Sequence, residues 1–180
     1  MILKELLTGL EVLQLIGDTN IEVTGIQSDS RRVTSGNVFV AQVGTTVDGH
    51  GFIPQCIEKG AAAIVMDQAE HMPTQSNGVT YILVKSSDEA LGKMAHLWYG
   101  EPSKHLQLVG VTGTNGKTTT ATLLYRLFKT SGEKVGLLST VINYVDDEAI
   151  ASTHTTPDAL SLNALLAQMV AAGWTYAFME

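Results

Sequence analysis

Apolar runs of strand length recur along the chain at residues 38–43, 61–66, 79–84, 106–111, 135–138 and 176–179, with helical stretches between some of them. That alternation predicts an α/β fold with largely parallel sheets. The segment 52–59 reads as a helix, with Pro54 in its first turn and Gly60 just past its end, the positions those residues favour. A second helix is expected at about 88–99, led by Ser86 and Ser87 as caps and carrying Leu91, Met94, Ala95 and Trp98 on one side. At the start of the chain, Ile2, Leu3, Leu6, Leu7 and Leu10 fit one face of an amphipathic helix. The polar stretch Lys85-Ser86-Ser87 is the expected boundary between a domain at 1–86 and another at 87–180.

Charge and composition then remove several classes of function. The chain is 180 residues long, 44% hydrophobic and carries a net charge of -7. Five basic and nine acidic residues precede residue 87, and six basic and nine acidic follow. Neither half has the basic footprint that nucleic acid requires. Glu5 and Glu11 interrupt the apolar N-terminus, which argues against a signal peptide, and no apolar run approaches the roughly 20 residues of a membrane span. A single cysteine, Cys56, excludes an internal disulfide framework, so a cytoplasmic location is expected. The chain is also expected to be a monomer. The histidines at 50, 71, 96, 105 and 154 lack companions at ligand spacing, and no structural zinc is expected.

The sharpest chemical signal is Gly110-Val111-Thr112-Gly113-Thr114-Asn115-Gly116-Lys117-Thr118-Thr119-Thr120, which follows a strand and opens a helix with Leu123, Leu124, Leu127 and Phe128 at helical spacing. Gly113 and Gly116 would let the backbone turn tightly and approach phosphate oxygens, while amides at the helix N-terminus point at the anion. Lys117 would supply charge to the β and γ phosphates of ATP, and the Thr118 hydroxyl would reach Mg²⁺. Val111 stands where the general phosphate-loop pattern has its first glycine. The final residues, Thr175 to Glu180, read as a buried strand ending at the sheet edge where ligands collect. Fewer strands follow residue 86 than a phosphate-binding domain normally needs, so the second domain is expected to be truncated.

The loop from Val111 to Thr120 resembles the compact ATP loop of the Mur ligases and of their relative folylpolyglutamate synthase. Ser28-Asp29-Ser30-Arg31-Arg32-Val33, Gly36-Asn37-Val38-Phe39-Val40-Ala41, Gly44 and Asp48-Gly49-His50-Gly51-Phe52-Ile53 are similar to the N-terminal domain of the MurE and MurF types. Thr155-Thr156-Pro157-Asp158-Ala159-Leu160, a helix to residue 172 and Phe178-Met179-Glu180 are most similar to the MurE type. The resemblance implies a small N-terminal α/β domain for a UDP-linked substrate, followed by the first part of a mainly parallel-sheet phosphate-loop domain.

It also implies roles. Ser28 and Ser30 would contact the uridine part, with Thr45, Thr46 and Val47 bordering that pocket; His154, Thr155 and Thr156 would meet the muramoyl-peptide end. Some members have Asn at the position of His154. Gly113, Thr114, Asn115, Gly116, Lys117, Thr118 and Thr119 would hold ATP, with Lys117 catalytic and Thr118 and Glu180 on Mg²⁺. The implied reaction is ATP-dependent addition of a diamino acid, meso-diaminopimelate or L-lysine, to UDP-N-acetylmuramoyl-L-alanyl-D-glutamate through an acyl phosphate. In the family the remaining machinery falls beyond residue 180, so this chain alone is expected to lack turnover.

Plainer readings stand beside these. Asp29, Ser30 and Arg31 would make a solvated turn, and Thr155 to Asp158 would make a helix start with a threonine cap. His50, His96 and Cys56 read as structural. The alternatives for the whole are a MurF-type or folylpolyglutamate-synthase-type ligase, or a non-catalytic nucleotide-binding module.

Overall fold

The computed structural model describes residues 1–44, 47–139, 142–145, 148–151 and 158–180, with backbone alone for 142–145 and 148–151. Thr45, Thr46, His154, Thr155 and Thr156 lie outside the described residues. The chain divides into two compact units, Met1–Trp98 and Tyr99–Glu180.

The first unit runs α1 (Leu3–Leu6), β1 (Val12–Ile16), β2 (Gly25–Gln27), β3 (Asn37–Val40), α2 (Ile53–Glu58), β4 (Ala63–Met66), β5 (Thr80–Val84) and α3 (Ser87–Trp98). Its sheet has the order β1-β5-β4-β3-β2, parallel except for β1, which pairs antiparallel with β5. Every residue of β3, β4 and β5 is buried, because helices cover both faces. Phe39, Ile64, Met66 and Leu83 pack with Ile53 and Cys56 of α2. The alternate residues, Val38, Val40, Val65 and Ile82, face the other way. There α3 packs on β3 and β4 with Leu91, Met94 and Ala95 buried.

Two expectations change here. The amphipathic N-terminal helix is only one turn, with Leu3 and Leu6 buried; Gly9 at φ +75° breaks it, and the chain becomes β1. The sheet claims that segment because β5 needs a partner on its open side. The boundary also falls one helix later than 86/87, since α3 packs on α1, β3 and β4 and belongs to the first unit.

The second unit runs β6 (Gln107–Gly110), α4 (Lys117–Thr130), β7 (Val135–Leu138), β8 (Ile142–Val145), β9 (Glu148–Ala151), α5 (Ala159–Ala171) and β10 (Tyr176–Met179). The strand order is β6-β10-β7-β8-β9. The first three strands are parallel, and β8 and β9 add an antiparallel hairpin. Alternation along β10 divides its core contacts: Phe178 and Tyr176 pack with Ala121 and Tyr125 of α4, while Ala177 packs with Leu166 and Met169 of α5. Leu124 and Phe128 of α4 join that core, but Leu123 and Leu127 point outward, each 60% exposed. The apolar face is therefore narrower than its leucine spacing suggests. The cap of α5 is Asp158, whose carboxylate accepts from the Ser161 amide at 2.7 Å, and not a threonine. A carboxylate at the N-terminus also meets the helix dipole, which a hydroxyl does only weakly.

Gly136 in the middle of β7 has no room for a side chain: a Cβ there would lie 2.7 Å from Met169 Sδ and 2.8 Å from Trp174 Cζ3. Gly136→Ala is expected to cost about 1–3 kcal/mol through overpacking. Urea unfolding followed by the NMR signals of Ala177 and Phe178 measures this, and a cost indistinguishable from zero would contradict the packing described.

Candidate nucleotide-binding sites

In the second unit the site grows from strand register. β10 lies between β6 and β7 with Met179 level with both Gly110 and Leu138. The chain leaving β6 and the chain leaving β10 therefore emerge side by side at the C-terminal edge of the sheet. Val111 extends the ladder by donating its N–H to the Met179 carbonyl at 2.7 Å, and Glu180 donates its own to Leu138 at 3.2 Å. Val111 has ordinary negative φ, and its side chain packs against the core under α4. A glycine at that position would remove this contact, which explains the departure from the general pattern.

The loop then turns on its two glycines. Gly113 has φ +151° and Gly116 φ +78°, and Gly116 is the residue before the first turn of α4. Left-handed backbone there aims the first amides of α4 into the loop, the arrangement that receives phosphate. Lys117 lies across the loop with Nζ donating to the Gly113 carbonyl at 2.7 Å, where a bound phosphate would compete for it. Thr118 Oγ1 donates to Glu180 Oε2 at 2.6 Å. Hydroxyl and carboxylate, from residues far apart in sequence, meet at the mouth of the loop. One carboxylate and one hydroxyl are oxygen donors of the kind Mg²⁺ accepts while keeping water and phosphate oxygens as its other ligands. Among the described residues no group of three or more His, Cys, Asp or Glu could hold a metal without such help.

The first unit contains an open cavity of about 690 Å³ beside the C-terminal ends of β2 and β3. The turn after β2 contributes Ser28, Asp29, Ser30 and Arg31, and the chain after β3 contributes Gln42, Gly44, Val47 and Gly49. The turn is held firmly. Asp29 Oδ1 accepts from the Arg31 amide at 2.9 Å, and the Arg31 guanidinium grips the same carboxylate through Nε at 2.9 Å and its terminal nitrogen at 2.8 Å. Lys59 Nζ donates to the Ser30 carbonyl at 2.7 Å. The local turn and the cavity wall are thus one structure, and Ser28, Ser30 and Val47 share the cavity. Gln42, Phe52 and Gln55 also line it and were missed by sequence reasoning. Phe52 alone offered a signal, as a large aromatic in a glycine-rich stretch; it is 38% exposed.

Hydrogen bonding to Arg31 holds the Asp29 carboxyl down at about 2, and bonds from the His50 amide and ring hold Asp48 at about 2 as well, against an ordinary 3.8. Folded-state values below the unfolded ones mean stability that is complete above 3.8 and lost as pH falls through about 2. Burial pushes the Cys56 thiol up, away from the reactive thiolate.

Strand, glycine loop and helix in this order define the class: an α/β protein of the phosphate-loop type. Residues 22–99 match the family model described as Mur ligase family, catalytic domain, and residues 111–180 match the Mur ligase middle domain. The chain belongs to the Mur ligase family. It is 57% identical over 179 residues to UDP-N-acetylmuramoyl-L-alanyl-D-glutamate--2,6-diaminopimelate ligase of Parabacteroides distasonis, covering 99% of this chain and 36% of that protein. A solved structure of an enzyme with the same name shares the fold over 100% of this chain and 35% of its own, with TM-score 0.77 and 22% identity. A MurF ligase from Thermotoga maritima, in complex with ADP, is 26% identical with TM-score 0.54, covering 88% of this chain and 32% of its own. No helix among the described residues is long and apolar enough to cross a membrane.

The carboxyl carbons of Asp29 and Asp48 are expected to titrate with midpoints near 2, and acid unfolding to set in between pH 3.8 and 2. NMR pH titration checks this; midpoints at 3.8 would show that neither carboxylate holds its partners in solution.

Proposed function

We propose that the chain forms the UDP-substrate and ATP sites of a MurE-type ligase, which joins 2,6-diaminopimelate to the D-glutamate of UDP-N-acetylmuramoyl-L-alanyl-D-glutamate in the cytoplasm. The observation that carries this reading is the Thr118–Glu180 contact at the mouth of a glycine loop, in a chain so similar to a ligase of that name. The relative's name favours diaminopimelate over lysine.

Joining a carboxylate to an amine in water is uphill. The carboxylate must first be activated, and transfer of the γ-phosphoryl group of ATP to it, giving an acyl phosphate that the amine displaces, is the route this site suits. Protein residues contribute position and charge. The amides at the start of α4 and the Gly113-to-Gly116 turn hold the phosphates, and the Lys117 ammonium offsets negative charge as it builds on the transferring group. Thr118 and Glu180 would hold Mg²⁺, which supplies further neutralisation when bound. In the first unit, Ser28 and Ser30 offer hydroxyls to the uridine end, with Val47 and Phe52 as apolar cover.

Calorimetry separates the two roles. UDP-N-acetylmuramoyl-L-alanyl-D-glutamate is expected to bind saturably and to be displaced by UDP. Lys117→Ala should weaken ATP-Mg²⁺ by about 10- to 100-fold, the worth of one charged hydrogen bond, with UDP binding unchanged. ATP binding without any UDP-dependent binding would redirect the assignment to another ligase of the family.

A further inference from the structure

His50 is fully buried, yet it lies outside the turn and the glycine loop that carry the proposed chemistry. Both of its ring nitrogens face carboxylates: Nδ1 stands 2.7 Å from Asp48 Oδ1 and Nε2 3.2 Å from Asp67 Oδ1. Nε2 also lies 3.4 Å from the Asp67 amide, so with the proton on Nδ1 the ring donates to Asp48 and accepts that amide at Nε2. His71 stacks on the ring with centroids 5.3 Å apart.

Each carboxylate reaches onward. Asp48 accepts from the His50 amide at 3.0 Å and, through Oδ2, from Gln68 Nε2 at 3.0 Å. Asp67, just past β4, accepts the Ser87 amide at 3.0 Å and so ties the start of α3 to the same ring. An apolar residue would fill this space without desolvating any polar group. What the imidazole adds is a link between three segments distant in sequence.

One of those segments is the cavity wall. Gly49 donates to the Gln42 carbonyl at 2.8 Å, Val43 bridges to Asp48, and Gly44 donates to the Val47 carbonyl at 3.0 Å. The contact at Gly49 is so close that a Cβ there would lie 2.7 Å from the Gln42 oxygen. Gly44, Val47 and Gly49 line the cavity, and His50 is the first side chain after them to enter the interior. We propose that His50 is a positioning residue: clasped between Asp48 and Asp67, it fixes the wall formed by Gly44, Val47 and Gly49 against β4 and α3, and so sets the affinity of the cavity for its nucleotide. Only the affinity clause rests on the reading of the cavity as the UDP site.

Hydrogen exchange and calorimetry on the 180-residue chain test this with His50→Gln and, as a second route to the same loss, Asp67→Ala. The Gly44 and Gly49 amides should exchange at least about tenfold faster than in the parent, with Val65 and Ile82 in β4 and β5 changed much less. UDP, used as the probe, should bind at least about tenfold more weakly, with ATP-Mg²⁺ binding unchanged. Equal acceleration of loop and strand amides, unchanged loop amides, or failure of both variants to fold would each make His50 an ordinary core residue and overturn the proposal. Should the parent chain itself not bind UDP, the nucleotide reading of the cavity fails, and the exchange rates still decide the role of His50.

Discussion

The second unit depends on the insertion of β10 between β6 and β7. A strand with parallel neighbours on both sides has its register set twice, and here both settings place Met179 level with the last residue of the neighbouring strand. That fixes Glu180 beside the chain leaving β6 and leaves Thr118, one residue into α4, as its hydrogen-bond partner. The same strand anchors both helices, through Phe178 on one face and Ala177 on the other. Loop, carboxylate and helix are consequences of one pairing. A shift of one residue in β10 would exchange its two faces and carry the carboxylate away.

The first unit achieves its rigidity differently. Its cavity wall is irregular chain, held by charged side chains that satisfy backbone groups: Lys59 on the Ser30 carbonyl and Asp29 on the Arg31 amide. Loops held in this way lose little freedom when a ligand arrives, which favours affinity. The fully buried sheet beneath supplies a fixed base, and the cavity opens beside the C-terminal ends of its strands, as parallel sheets commonly arrange.

Much of this was legible in the sequence because strong local signals agreed with the tertiary outcome. The runs at 135–138 and 176–179 are strands with those bounds, and Pro54 stands in the first turn of α2 with Gly60 just past its end, as their backbone preferences require. The glycine loop was readable because its chemistry is local. The errors arose where distant partners decide. Residues 12–16 form a strand only because β5 has an open side, and α3 belongs to the first unit only because α1, β3 and β4 bury its face. β2 is three residues long, too short to show a period. Gln42 and Gln55 line the cavity by tertiary placement that no local pattern announces.

The most direct test of the central claim, that the ends of β6 and β10 together build a metal-assisted ATP site, is a crystal structure of the chain soaked with ATP and Mn²⁺, with anomalous scattering recorded from manganese. An anomalous peak is expected within about 2.3 Å of Thr118 Oγ1 and of a Glu180 carboxylate oxygen, with the triphosphate wrapped by Gly113 to Lys117. Nucleotide bound elsewhere, or manganese held without Glu180, would contradict it.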